Sequence, residues 1–143
     1  MKDVLSVAAA LLLAACSEST GPGGALRVET SQSVYSLPGP VTVQFSVRNT
    51  SSFSVALPNC GAGVLPELER RQGTAWVSVG SQLCPALANY APIVLAPGET
   101  ATGQTNIAEA GQYRIRVAAA PEIGAEFSSY SVSPNFVVRW LED

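Results

Sequence analysis

The chain has 143 residues, a formal net charge of −3 and 13% charged residues, well below the roughly 25% of an ordinary globular domain. A mildly acidic chain so poor in Lys and Arg lacks the basic footprint that nucleic acid requires, so no nucleic-acid partner is expected. With no His at all and Asp only at Asp3 and Asp143, Ser-His-Asp, Cys-His, His-metal and Asp-rich calcium arrangements are excluded, and neither a metal nor a cofactor is expected.

In chain order, Met1-Lys2-Asp3 is followed by an apolar run from Val4 to Ala15 that only Ser6 interrupts. The run is too short to span a membrane, which takes about 20 residues. A charged start, a short apolar centre and small residues before a cut are instead the marks of an export signal. Leu13-Ala14-Ala15-Cys16 resembles the lipobox of bacterial lipoproteins. The resemblance implies that residues 1–15 are a signal peptide, and that Cys16 becomes the lipidated, palmitate-bearing N-terminus. Two or three acyl chains anchor a protein firmly without spanning the bilayer. The expected location is therefore the cell envelope, at the outer membrane, the periplasm or the cell surface. Residues 16–24, rich in Ser and Gly, read as a flexible tether, and residues 25–143 as one domain. With Cys16 alkylated, Cys60 and Cys84 remain as one pair, expected as a disulfide in an oxidising compartment that stabilises by about 3 kcal/mol. Two free thiols are the alternative.

A first strand is expected near residues 26–34. Residues 41–49 then alternate without a fault, with Val41, Val43, Phe45 and Val47 on one face and Thr42, Gln44, Ser46 and Arg48 on the other, as a half-buried strand does. After a turn at 49–52, Phe53, Val55 and Leu57 begin the next strand. Residues 64–70 and 74–79 flank Arg71-Gln72-Gly73 as a hairpin. Polar, Gly-interrupted residues 100–107 read as a weak or edge strand. Residues 111–119 set Tyr113, Ile115 and Val117 opposite Arg114 and Arg116. A last strand keeps one parity through Tyr130, Val132, Phe136, Val138 and Trp140, which places Trp140 in the core, with a bulge or bend at Pro134. Pro-Gly turns stand before two strands, in residues 36–41 and 95–100.

The expected fold class is all-β, an antiparallel β-sandwich of about seven to eight strands. "EAGQYRIRV", residues 109–117, resembles the approach to the sixth strand of immunoglobulin-like domains, matching Glu109, Gly111 and Tyr113. The resemblance implies a tyrosine corner at Tyr113, with Ile115 in the usual cysteine position facing Val43 or Phe45. Together, "VTVQFSVRNTS", "LAPGET" and "GQYRIRV" look like the immunoglobulin-like domains of bacterial lipoproteins, and distantly like the BsuPI-type proteinase inhibitors. Three functions follow as expectations. The first is a non-catalytic lipoprotein domain that binds another envelope protein or supports an assembly. The second is a proteinase inhibitor, implied by motif order alone. The third is an envelope enzyme resting on Glu67 and Glu69, which point to one face, although a solvated carboxylate pair balanced by Arg70, Arg71 or a neighbouring strand explains them better. Trp76 falls opposite Val77 and Val79. It either covers a sheet, packs on the Cys60–Cys84 loop or serves as an exposed anchor. Tyr90, in the long connection of residues 80–92, is a candidate partner-binding residue with the Cys60 turn, or part of a loop that caps one end of the sandwich.

Overall fold

Alternation of apolar side chains at a period of two decides most of the architecture. The computed structural model describes residues 22–81 and 90–141. A short 3-10 turn, Pro22–Ala25, leads into eleven strands. These are β1 Leu26–Thr30, β2 Val34–Leu37, β3 Val41–Asn49, β4 Val55–Leu57, β5 Glu67–Gln72 and β6 Ala75–Ser81, then β7 Ile93–Leu95, β8 Thr100–Ile107, β9 Gly111–Ala119, β10 Ser129–Val132 and β11 Phe136–Trp140. One sheet has the order β1-β3-β8, and a larger one the order β2-β11-β9-β5-β6, with β10 also paired to β9. A third, two-stranded sheet joins β4 to β7. Every pairing is antiparallel except that of β2 with β11.

The odd-numbered side chains Val43, Phe45 and Val47 of β3 and Tyr113, Ile115 and Val117 of β9 are all buried in one cluster with Leu37, Leu68, Phe136 and Val138. Two sheets closing on a shared apolar layer make a β-sandwich, and the strand orders follow the immunoglobulin-like arrangement. Phe45 and Ile115 belong to the same buried cluster, so the centre is apolar at the position where antibody domains hold a disulfide.

Four details differ from the sequence expectation. The first strand is two. The chain leaves the smaller sheet at Ser31 and crosses to the larger, where β2 runs parallel to β11. The Tyr35 hydroxyl pins that crossover, contacting Ser31 Oγ at 3.0 Å and accepting the Gln32 N–H at 3.1 Å. The last strand is also two, and of opposite parity. Tyr130 and Val132 face outward while Phe136 and Val138 are buried. At the break, Ser133 N–H donates to Ile115 O at 2.8 Å and its hydroxyl accepts the Ile115 N–H at 2.9 Å. Ser133 thus holds the ladder with a side chain while Pro134 resets the register. Trp140 keeps the inward parity but is 60% exposed. The β11–β9 ladder ends at Val138↔Gly111, so Trp140 projects past the layer that would cover it. Phe53 is likewise exposed, because Ser51 to Phe53 form a turn around Asn49 and β4 starts only at Val55.

Candidate binding face

The outward face of the larger sheet carries the most organised chemistry among the described residues. On β9, burying Tyr113, Ile115 and Val117 forces Gln112, Arg114 and Arg116 outward. On β5, Leu68 turns in, so Glu67, Glu69 and Arg71 turn out. The register sets Glu67 opposite Arg116 and Glu69 opposite Arg114. Arg114 Nε donates to Glu69 Oε2 at 2.5 Å. Arg116 Nη1 lies 3.4 Å from Glu67 and 3.7 Å from the other Glu69 oxygen. Glu69, at 6% exposure, is therefore a buried carboxylate held by two guanidinium groups, which is what the burial of a charge requires.

Aromatic rings close both ends of this row. The Arg114 guanidinium lies 4.5 Å from the centroid of Trp76, and that of Arg116 lies 3.7 Å from the centroid of Tyr130. Both distances are within cation–π range. The result is a stacked layer, Trp76–Arg114–Glu69–Arg116–Tyr130, in which each long side chain is held on two sides. Arg71 Nη1 donates to Gln112 at 3.3 Å and extends the order across the sheet. Trp76 is thus a partly exposed member of a charged sheet face.

Glu67 and Glu69 are balanced from the neighbouring strand, by Arg114 and Arg116, and not by Arg70 and Arg71; only the expectation of a solvated pair fails, because Glu69 is buried. Arg70 instead bonds Glu109 at 2.6 Å and the Ala110 carbonyl at 2.8 Å. Beside it, Tyr113 donates its hydroxyl to Glu109 O at 2.9 Å, the bond that defines a tyrosine corner. Burial pushes the Tyr113 hydroxyl above its ordinary value of 10.0, the Arg70 charge opposes this, and Glu109 adds to it.

The remaining sequence candidates lie elsewhere. Tyr90 sits over the Cys60 turn, where a β-carbon on Gly61 would lie 2.5 Å from its ring and where the φ of +83° favours glycine. Tyr90 and Trp76 have no common partner among the contacts described. Cys60 is buried beside this turn, whereas Cys16, Cys84 and most of the loop before Tyr90 lie outside the described residues. Among the described residues no three His, Cys, Asp or Glu side chains group as metal ligands. A separate groove of about 740 Å³, lined by β1, β3, β8 and the crossover at 31–33, is mostly Ser, Thr and Gln, and its one carboxylate, Glu29, is held by Arg27 at 2.6 Å. Sequence reasoning missed Tyr130 and the role of Arg114 and Arg116. The signal was present in "YRIR", whose outward arginines needed anionic partners on the next strand.

No protein-family model matches the sequence, and no curated protein matches it. Among solved structures, the Pseudomonas fluorescens alkylpurine DNA glycosylase AlkC bound to abasic-site DNA aligns at 10% identity over 80% of this chain and 30% of its own, with a TM-score of 0.41. A Listeria innocua β-glucosidase aligns at 14% identity over 80% of this chain and 16% of its own, with a TM-score of 0.33. A PapD-like domain of human CEP192 aligns at 10% identity over 99% of both chains, with a TM-score of 0.37. The chain spans less than a third of the glycosylase and the glucosidase, and likenesses this remote carry no inference about what it does.

Proposed function

We propose that this chain is an exported, lipid-anchored protein of the cell envelope whose immunoglobulin-like sandwich is a non-catalytic binding domain, and that the outward face of the larger sheet is its recognition surface. The stacked Trp76–Arg114–Glu69–Arg116–Tyr130 layer carries the binding reading. Trp, Tyr and Arg dominate the energetics of protein interfaces, and side chains already held in place lose less freedom on docking. The lipobox at Leu13 to Cys16 and the Ser/Gly tether support the anchor. The same processing leaves Cys60 and Cys84 to form one disulfide.

Expression of the full chain in a bacterial host tests both parts. Palmitate should label the wild type, and Cys16→Ser should move the protein from the membrane to the soluble fraction. In-membrane cross-linking followed by mass spectrometry should recover a partner with the wild type and lose it with Trp76→Ala plus Tyr130→Ala, provided circular dichroism shows both folded. Recovery of no partner, or of the same partner with the double variant, would overturn the binding reading. An unlabelled wild type would overturn the anchor.

A further inference from the structure

We infer that the occupant of this face is an acidic segment of another protein, its carboxylates interspersed with apolar residues. This rests on the reading of the face as a recognition surface and adds the chemistry of the partner. The chain as a whole is acidic, at −3, yet the face is not. Registers place four arginines on it, Arg71, Arg114, Arg116 and Arg139, against two glutamates, Glu67 and Glu69. Both glutamates are already engaged by Arg114 and Arg116. That leaves Arg139, exposed and with no ion pair among the described residues, and Arg71, whose described bonds go only to uncharged oxygens, the Gly73 carbonyl and the Gln112 amide.

Between those two cations lie Gln112 and the exposed Val137. Trp76 flanks Arg71 on its outer side, and beyond Val137 the row ends at Val34, which is also exposed. Arg139 stands two residues beyond Val137 on the same face. Two strand spacings and two residue rises separate Arg71 from Arg139 by about 12 Å. Carboxylates four residues apart in an extended chain are about 13 Å apart, with room for an apolar residue between them, beside Val137. Planar guanidinium groups suit carboxylates in particular.

The test uses the full chain in detergent and a fluorescein-labelled peptide, Glu-Ser-Val-Ser-Glu-Ser-Val-Ser-Glu, which as an extended chain puts Glu and Val on one face, read by anisotropy at low ionic strength. A second peptide replaces each Glu with Lys, and polygalacturonate serves as a non-protein polyanion. The Glu peptide should bind saturably, weaken with salt and bind roughly three- to tenfold more weakly to Arg71→Gln plus Arg139→Gln. Neither substitution touches the Glu69 network, and circular dichroism of the variant should match the wild type. Failure of the Glu peptide to bind, equal binding of the Lys peptide, unchanged binding by the double variant, or equal competition by polygalacturonate each overturns the inference. A cross-linked partner at this face that lacks an acidic segment also overturns it while leaving the recognition face standing. Recovery of no partner overturns both.

Discussion

Asn49 shows how one polar residue organises an apolar sandwich. Its side chain is fully buried. Nδ2 donates to Phe53 O at 2.8 Å and Leu95 O at 3.0 Å, while Oδ1 accepts from Ser51 N at 3.0 Å and Ser51 Oγ at 2.7 Å. All four side-chain positions are satisfied, so the amide costs little to bury and ties the end of β3 to β7. Asn49→Ala should lower stability by about 2 kcal/mol in denaturant unfolding, since it takes a donor from the buried Leu95 carbonyl and the acceptor that holds the Ser51 turn. Tyr113 is the second such residue. Its folded-state value is raised mainly by burial, so the fold favours the neutral hydroxyl. That stabilisation is complete below pH ~10 and lost as pH rises through the folded-state value. Tyr113→Phe should cost about 1 kcal/mol at neutral pH, and the gap to wild type should close above pH ~10 when unfolding is followed across that range.

At the scale of elements, β8 shows why a glycine-interrupted strand is not a weak one. It pairs with β3 along all eight of its residues. Gly103 is where the interior is tightest, because a β-carbon there would lie 2.3 Å from Phe45 Cζ and 2.6 Å from Val64 O. The chain around Val64 folds over this edge, with Val64 N–H donating to Thr102 O at 3.0 Å, which covers an otherwise open strand. Gly103→Ala should destabilise by about 2 kcal/mol through overpacking, measured as a lower denaturation midpoint with unchanged slope. On the far side of the sandwich, β10 and β11 lie end to end along β9. Reading one parity across Pro134 fails because Ser133 supplies both a backbone donor and a hydroxyl acceptor to Ile115, letting the chain change face without losing the ladder.

For the whole molecule, the sandwich separates a buried apolar layer from two outward faces of different character. The smaller sheet presents mostly Thr, Gln and Ser; the larger concentrates the arginines and two aromatic rings. Because Pro22–Ala25 is a 3-10 turn, the proposed tether shortens to residues 16–21, whose reach as a flexible chain would be roughly 12–15 Å, so a lipid on Cys16 would hold the domain close to a bilayer. The proposed Cys60–Cys84 bond would restrain the connection that follows β6. Reducing agent should then lower thermal stability by the equivalent of about 3 kcal/mol, and non-reducing mass spectrometry of a proteolytic digest should recover the two cysteines in one linked peptide pair. Unchanged melting and unlinked peptides would remove that bond.

Period-two alternation by itself determined that Val43, Phe45, Val47, Tyr113, Ile115 and Val117 form the core, because side chains on a strand have only two faces and water selects between them. It also determined that Arg114, Arg116, Glu67 and Glu69 turn outward. Tertiary structure decided what alternation does not encode: which strand lies beside which, and where a face ends. Registering β5 against β9 turned two carboxylates into the counter-ions of two arginines, and the end of β9 left Trp140 in water despite its parity. Strand order and sheet boundaries arise from pairings between residues distant in the chain, and those pairings are settled only when the whole apolar layer closes.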